Sequence, residues 1–305
     1  MNFNVWGLTG SLNTQNEKQL SHATERLWYW INRFDVSCNR FRPDSEISRL
    51  NTRPGEPIEI SDVLELAIDA AIYACDVTGG LCDPTVLPAL LALGYDRDYD
   101  QLRALSRPEV RAPVYAPGVG AITLDRDRHR VTLAPRCQID LGATAKALLA
   151  DVVANELAVG GGVALEVGGD VAIRGSGPHG PWVVGVSDSL RVHEGAPRIQ
   201  LLRGGVATSS TNTRSWWMGE RLVHHIVDPR TGDTARGKYT TATVAAESCV
   251  LANAFATAAL LWDDSAAYHI AQAGWAARLV RRDGEVEYVG GWPPDDSSEV
   301  DSCSR

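Results

Sequence analysis

The sequence has no surplus of basic residues and no long apolar segment. Its 305 residues include 29 Lys and Arg against 38 Asp and Glu, a formal net charge of −9. This balance argues against a nucleic-acid partner, because phosphate binding requires a basic surface. The longest apolar run, Cys249 to Trp262, is interrupted by Asn253 and Thr257 and is shorter than the roughly 20 residues of a membrane span. We therefore expect neither a nucleic-acid partner nor a membrane partner.

The sequence also lacks paired cysteines and the features of an export signal. No C-x-x-C pair occurs, which gives little support to a zinc site or a disulfide framework. The first thirty residues have no basic n-region, apolar run or small-residue cleavage site. We therefore predict reduced thiols and a cytoplasmic location. The six cysteines are Cys38, Cys75, Cys82, Cys137, Cys249 and Cys303.

With 44% hydrophobic residues, 28 Gly and 15 Pro, the composition is that of a globular protein. We expect one domain over residues 1–290, with two subdomains as an alternative, and a disordered tail over 291–305 that has little to bury. Apolar spacing predicts helices over 16–34, 62–78 and 143–157. Ser61 is the expected N-cap of the second helix, and Gly79 and Gly80 are its expected stop.

Strands dominate the second half of the expected fold. Two β-rich runs, 121–124 and 131–133, flank a polar tip and predict a hairpin. Helices expected over 249–262 and 265–273 interrupt the later strands without strict βαβ alternation, which favours an α+β fold with mixed, largely antiparallel sheets and packed helices. The later strand candidates are Val163–Val167, Trp182–Val186, Ile199–Leu202, Arg221–Val227, Thr240–Ala246, Ala277–Val280 and Val286–Val289.

Four short runs are candidates for chemistry, and each has a structural alternative. Residues 79–86 form a glycine-rich stretch, or a helix stop followed by an Asp-Pro turn. Residues 140–146 lead into a helix whose N-terminus and Lys146 suit an anion, although Lys146 can equally be a solvated first-turn residue. Residues 166–170 contain a glycine pair that allows a ligand to approach the backbone, or that turns a hairpin.

The fourth run, 224–232, begins with two histidines. Adjacent residues of a strand point to opposite faces, so only one histidine can serve a given pocket and the other is structural. No G-x-G-x-x-G opens a helix after a strand, and no Walker lysine motif occurs, so a nicotinamide or P-loop site is not supported.

Five motifs in this order resemble the FAD:protein FMN transferase (ApbE) family over about 34–290. Phe41–Asn51 is similar to a segment ending D-S-E-I-S-R-L-N, and 79–86 to G-G-x-x-D-P-T-V. Residues 140–146 are similar to D-L-G-G-I-A-K, 167–170 to V-G-G-D and 225–232 to H-I-I-D-P-R-T-G. The resemblance implies an ApbE-like (T-fold-like) architecture and transfer of the FMN half of FAD to a Thr or Ser of an acceptor protein, with release of AMP.

The resemblance also implies roles for individual residues. His225, held near Asp228, is the expected base that takes the proton of the acceptor hydroxyl, since a histidine titrates near neutral pH. The expected Mg²⁺ ligands are Asn253, Thr257 and the backbone carbonyl of Ala143. The expected flavin contacts are Trp6, Phe41, Leu81, Cys82, Asp83, Asp140, Lys146 and Val227.

One residue departs from the family pattern at the expected metal. The family motif A-D-x-x-x-T reads here with Asn253 in place of the carboxylate, and Mg²⁺ usually relies on carboxylates and substrate phosphates. Ala147 also stands where the family usually has Gly. Two alternatives to the transferase follow: a catalytically lapsed flavin-binding or partner-binding protein, and an FAD pyrophosphatase that gives FMN to water.

Overall fold

A computed structural model describes residues 1–103, 112–187 and 196–295. The chain forms two compact units. The first unit contains Met1–Trp30, Lys146–Thr213 and the chain from Arg236 onwards. The second unit contains Ile31–Ala145 and Arg214–Ala235.

The described residues form eight α-helices and seventeen β-strands, numbered here in chain order. The helices are α1 (Leu20–Cys38), α2 (Glu46–Asn51), α3 (Asp62–Val77), α4 (Leu87–Ala92), α5 (Tyr99–Arg103), α6 (Ala145–Leu157), α7 (Cys249–Trp262) and α8 (Ala266–Gln272). The strands are β1 (Asn2–Val5), β2 (Leu8–Thr14), β3 (Ile58–Glu59), β4 (Ile122–Asp125), β5 (Arg130–Leu133), β6 (Val163–Val167), β7 (Asp170–Arg174), β8 (Trp182–Gly185), β9 (Arg198–Leu201), β10 (Arg203–Ser210), β11 (Ser215–Met218), β12 (Arg221–His224), β13 (Val227–Asp228), β14 (Asp233–Thr234), β15 (Tyr239–Ala246), β16 (Ala276–Arg281) and β17 (Val286–Val289).

The first unit is built on an eight-stranded sheet with the order β1-β2-β6-β7-β10-β15-β16-β17. Every neighbouring pair in it is antiparallel. The predicted class, α+β with antiparallel sheets and packed helices, is confirmed. None of the helices in the described ranges is both long and apolar enough to cross a bilayer.

Helix α7 packs on β10 and β15 in the middle of this sheet. Almost all of its residues are buried, which its run of Ala, Leu, Val and Phe predicts for a helix enclosed on several sides. The helix lies so close to β10 that a methyl group on Gly205 would overlap backbone atoms of Cys249. The approach of helix to strand therefore requires glycine at this position.

The second unit contains the three-stranded sheet β3-β5-β4 and the hairpins β11–β12 and β13–β14. Helix α3 begins after Ser61, whose hydroxyl accepts the backbone N–H of Leu64. It stops at Gly79 and Gly80, both with positive φ, and the Gly80 N–H reaches the Cys75 carbonyl. The predicted cap, helix and stop are confirmed, and so is the hairpin of β4 and β5.

The structure differs from the sequence prediction in several elements. Helix α1 starts at Leu20, because Asn16 caps a single 3₁₀ turn instead of the α-helix. The strand expected over 221–227 is divided into β12 and β13. Strand β10, at the centre of the large sheet, was not predicted, because its small and polar residues resemble a turn sequence.

The chain beyond Gly290 includes ordered residues where a disordered tail was expected. Trp292 is buried in a core cluster with Ile173 and Val206. The Arg278 guanidinium pairs with Asp295 at 2.8 Å. The rest of the expected tail, 296–305, lies outside the described residues.

Candidate functional site

In the first unit, three of the motifs come together around the carboxylate of Asp170. Asp170 is 1% exposed and is the first residue of β7, after the turn of Gly168 and Gly169. Its Oδ2 lies 2.6 Å from the Nζ of Lys146, in the first turn of α6. Its Oδ1 accepts a 2.7 Å hydrogen bond from the Nδ2 of Asn253 in α7. The glycine pair therefore turns a hairpin, as its structural alternative proposed, and directs Asp170 inwards.

The hydrogen bond to Asp170 fixes the orientation of the Asn253 amide. A carboxylate oxygen accepts and cannot donate, so the NH₂ of Asn253 faces Asp170 and its Oδ1 faces away. That Oδ1 is buried and has no hydrogen-bond partner among the described residues. One turn along the same face, the Thr257 hydroxyl lies 3.0 Å from the Ser209 hydroxyl.

These side chains fit a magnesium ion through oxygen ligands. Mg²⁺ takes hard oxygen donors, and an amide oxygen and a hydroxyl are both of this kind. A buried oxygen without a partner is costly to leave unsatisfied, so the orphaned Oδ1 of Asn253 is consistent with a ligand role. Negative charge at this place comes from Asp170, whose Oδ1 accepts the Asn253 amide and whose Oδ2 pairs with Lys146.

A second buried carboxylate, Asp151, holds α6 and α7 together. Its two oxygens accept the backbone N–H groups of Cys249 and Val250 in the first turn of α7, each at 3.0 Å. The Arg174 guanidinium pairs with the same carboxylate at 2.9 Å. Burial raises the pKa of Asp151 above its usual range. Because Lys146 and Asn253 project from these two helices, Asp151 fixes the elements that carry them.

Lys146 is not the solvated lysine of the structural alternative. Its side chain is 19% exposed, and its ammonium forms an ion pair with Asp170. An ammonium has three N–H donors, so one bond to Asp170 leaves donors for a second partner. The structure thus presents Lys146 as a cation already held in place.

In the second unit, the glycine-rich run 79–86 has the turn geometry of its structural alternative. The Asp83 Oδ1 accepts the N–H and the hydroxyl of Thr85, at 2.8 and 2.7 Å, and so caps the 3₁₀ turn that begins at Pro84. Burial raises the pKa of Asp83. Leu81 and Cys82 are buried, and burial raises the pKa of the Cys82 thiol to about 12. Cys82 is therefore an uncharged packing residue at neutral pH.

Asp140 and Phe41 share a neighbour that the sequence analysis did not select, Arg40. The Arg40 Nε pairs with Asp140 Oδ2, and its Nη1 donates to the Tyr95 carbonyl at 3.0 Å. The second oxygen of Asp140 accepts the N–H of Gly142 at 2.7 Å and shapes the turn before α6. Phe41 is 37% exposed, and its ring lies over the Arg40 guanidinium.

The two histidines differ in their contacts. The His224 Nε2 lies 3.0 Å from the Ala235 carbonyl, an acceptor that requires the proton on this nitrogen. The His225 Nδ1 lies 3.4 Å from the Arg214 carbonyl, a long contact that favours the proton on Nδ1. This tautomer leaves the lone pair of a base on Nε2. Because β12 ends at His224, the strand-alternation argument does not extend to His225 and was wrong in its premise.

The Asp228 carboxylate is bound to Arg230. Its Oδ1 accepts the backbone N–H and the Nε of Arg230, both at 2.9 Å, and its Oδ2 accepts Nη2 at 2.8 Å. Asp228 thereby closes the turn that ends at Gly232, whose N–H donates to the Asp228 carbonyl. Val227 is buried in β13 and packs in the core cluster of the second unit.

The remaining expected residues occupy turns. Ala143 lies in the turn before α6 and is half-buried. Trp6, with a φ of 51°, stands in the turn between β1 and β2. The residues missed by sequence reasoning are Asp170, Arg40 and Tyr95. Only Asp170 had a signal, because it is the last residue of the V-G-G-D motif.

The sequence is similar to known proteins of one family. Residues 7–280 match the ApbE family profile. An FAD:protein FMN transferase of Vibrio cholerae is 26% identical over 285 residues, 90% of this chain and 83% of that protein. One of Chlamydia trachomatis is 28% identical over 240 residues, 73% of this chain and 71% of that protein.

Solved structures agree. A crystal structure of the ApbE protein of Thermotoga maritima has a TM-score of 0.80 at 26% identity and covers 95% of this chain and 96% of that one. The apo form of the flavinyl transferase ApbE of Pseudomonas stutzeri shares the fold, with a TM-score of 0.74 at 22% identity over 95% of this chain and 93% of that one. Since the family profile spans most of the sequence, this chain belongs to the ApbE family.

Proposed function

We propose that this protein transfers the FMN moiety of FAD to a Thr or Ser hydroxyl of an acceptor protein, with Mg²⁺ as the metal. The observation that carries the proposal is the buried group of Lys146, Asp170 and Asn253. It joins three separate family motifs through hydrogen bonds of 2.6 and 2.7 Å. A buried ion pair adds little to stability and an unsatisfied buried amide oxygen lowers it, which favours a bound ligand as the reason for this group.

The reaction is a phosphoryl transfer in which one phosphorus–oxygen bond replaces another. The acceptor hydroxyl attacks the phosphorus on the FMN side of the pyrophosphate, and the bond from that phosphorus to the AMP oxygen breaks. The hydroxyl proton passes to a base of this chain, and AMP leaves as the second product. Such transfers depend mainly on positioning and charge neutralisation.

The residues of this chain supply those needs in the proposal. Lys146, oriented by Asp170, donates to the phosphates, and Nε2 of His225 takes the hydroxyl proton. Asp228 is a positioning residue, because its carboxylate is bound to Arg230 and shapes the turn after His225. Phe41, Asp140 and the run Leu81–Asp83 contact the flavin.

Asn253 and Thr257, with the carbonyl of Ala143, are the proposed magnesium ligands. When bound, Mg²⁺ supplies positive charge to the pyrophosphate oxygens. Because Asn253 replaces the carboxylate of the family motif, Mg²⁺ depends more on the phosphate oxygens of FAD for its negatively charged ligands. The metal and FAD are therefore expected to bind together.

The test is incubation of the purified protein with FAD and Mg²⁺, with and without a Thr-bearing acceptor peptide. Transfer predicts AMP release together with an FMN-sized mass gain on the peptide. AMP with free FMN and no mass gain would favour the pyrophosphatase instead. Binding of FAD without release of AMP at saturating Mg²⁺ would favour the lapsed flavin-binding protein.

A further inference from the structure

The guanidinium of Arg40 is a buried cation with one donor group unused. Its side chain is 9% exposed. Nε pairs with Asp140 and Nη1 donates to the Tyr95 carbonyl, whereas Nη2 is buried and has no hydrogen-bond partner among the described residues. A buried N–H group without an acceptor is destabilising, so its retention needs a reason such as a ligand.

The surroundings of Arg40 are aromatic. The guanidinium carbon lies 4.0 Å from the centre of the Phe41 ring and 4.7 Å from that of Tyr95. The Tyr95 ring is in turn 5.2 Å from the Trp216 ring. Tyr95 and Trp216 are buried, whereas Phe41 is 37% exposed, so a ligand approaches from the side of Phe41.

The net charge around Arg40 indicates which part of a flavin nucleotide, the pyrophosphate or the ring, it suits. Asp140 already neutralises Arg40, so the pair offers no net positive charge to a pyrophosphate. It offers the N–H bonds of one nitrogen, Nη2, beside a set of aromatic rings, which suits a flat, uncharged ring with a carbonyl acceptor. The isoalloxazine ring has such acceptors on its pyrimidine half.

We infer that Arg40 is a specificity-determining residue for the flavin ring, whose carbonyl oxygen accepts the Nη2–H of Arg40 while the ring packs against Phe41. The inference rests on the proposed function, because it assigns a part of the same substrate to this residue. Asp140 and the Tyr95 carbonyl hold the guanidinium in place, and the unused donor is directed to the ligand.

The test compares three ligands with the wild type and with Arg40→Lys. Lysine keeps the positive charge opposite Asp140 and removes the planar group with its Nη2 donor. Riboflavin presents the flavin ring without phosphate, FAD presents the ring with the pyrophosphate and adenosine, and ADP presents the diphosphate and adenosine without the ring. A matched control is Arg126→Lys, the same change at an exposed arginine paired with Asp69 in the same unit.

In calorimetric titrations, Arg40→Lys should weaken the binding of riboflavin and of FAD by the same factor. We expect this factor to be about tenfold to a hundredfold, the effect of a hydrogen bond from a charged donor. ADP binding should not change, and Arg126→Lys should affect none of the three ligands. Unchanged riboflavin affinity in Arg40→Lys would overturn the inference. A loss of ADP affinity equal to that of FAD would overturn it as well, since the acceptor would then be a phosphate.

A second measurement changes the ligand and keeps the protein intact, in case Arg40→Lys folds poorly. Riboflavin in which sulfur replaces the oxygen at position 2 or position 4 has a weaker acceptor there. One of the two should bind more weakly than riboflavin to the wild type, and equal binding of both would overturn the inference. If the wild type binds neither riboflavin nor FAD at any tested concentration, the proposed function itself is overturned.

Discussion

Replacement of Asn253 by aspartate tests the charge at the proposed metal. In the wild type, the Asn253 amide donates to Asp170 at 2.7 Å, and Lys146 neutralises that single carboxylate. Asn253→Asp removes the donor and places a second carboxylate beside the first. Two unit charges about 4 Å apart repel by about 4 kcal/mol at an effective dielectric constant of 20. Lys146 can offset only part of this repulsion.

Without metal, Asn253→Asp should therefore be less stable than the wild type, with a fall in melting temperature on the order of 5–15 °C. Proton uptake by the new carboxyl pair reduces the effect at low pH, because a like charge raises the pKa of its neighbour. Added Mg²⁺ should restore the stability of Asn253→Asp, whereas it should leave the wild type almost unchanged unless FAD is present. If weak metal occupancy limits the wild type, turnover should rise too.

The assay is thermal unfolding with and without Mg²⁺ and FAD, together with calorimetric titration of Mg²⁺. The control is Asn253→Asp combined with Asp170→Asn, which exchanges the two groups and restores one carboxylate and one amide. This double variant should recover much of the metal-free stability. The reasoning is refuted if Asn253→Asp unfolds with the wild type in the absence of metal and Mg²⁺ stabilises neither protein.

Three further predictions concern other residues. Lys146→Ala should weaken FAD binding by roughly 1.5–3 kcal/mol and lower the melting temperature, since it leaves a buried carboxylate unpaired; unchanged affinity by calorimetry would place the phosphates elsewhere. His225→Ala should abolish transfer and keep FAD binding, whereas His224→Ala should mainly lower stability; loss of transfer in folded His224→Ala alone would reverse the two roles. The hydrogen bond that the His129 ring donates to the Glu65 carboxylate raises the pKa of His129, so its stabilisation is present below about pH 6.5 and disappears as pH rises through the folded pKa; Glu65→Gln should lower that pKa in an NMR titration, and an unchanged value would exclude the pair.

Local patterns were sufficient to predict much of the fold. Helix α3 follows from a Ser61 cap, an apolar stripe and a glycine stop, all of which act within one helix length. Strand β10 could not be found in this way, because Gly204 and Gly205 disfavour strands and only Val206 and Thr208 are residue types that favour them. Its strand conformation depends on pairing with β7 and β15, and those pairings join residues far apart in sequence.

The candidate site was likewise predictable only in the part that depends on local sequence. Motif order was sufficient to select Lys146 and Asn253, because each lies in a recognisable segment of its own. What links them, the carboxylate of Asp170, depends on a tertiary contact that spacing does not encode. The pairing of Asp228 with Arg230 is local and was also not predicted, and the expected role of Asp228 beside His225 stays a prediction.

The close approach of α7 to β10 has a consequence for mutational screens. Gly205 touches the first residue of α7, one helical turn before Asn253, and a side chain there would push the helix away from the sheet. A library scored only for activity would thus rank position 205 beside the histidine at 225, although glycine takes no part in the chemistry. Abundance scores from the same library would separate the two, because only substitutions of Gly205 would also deplete the folded protein.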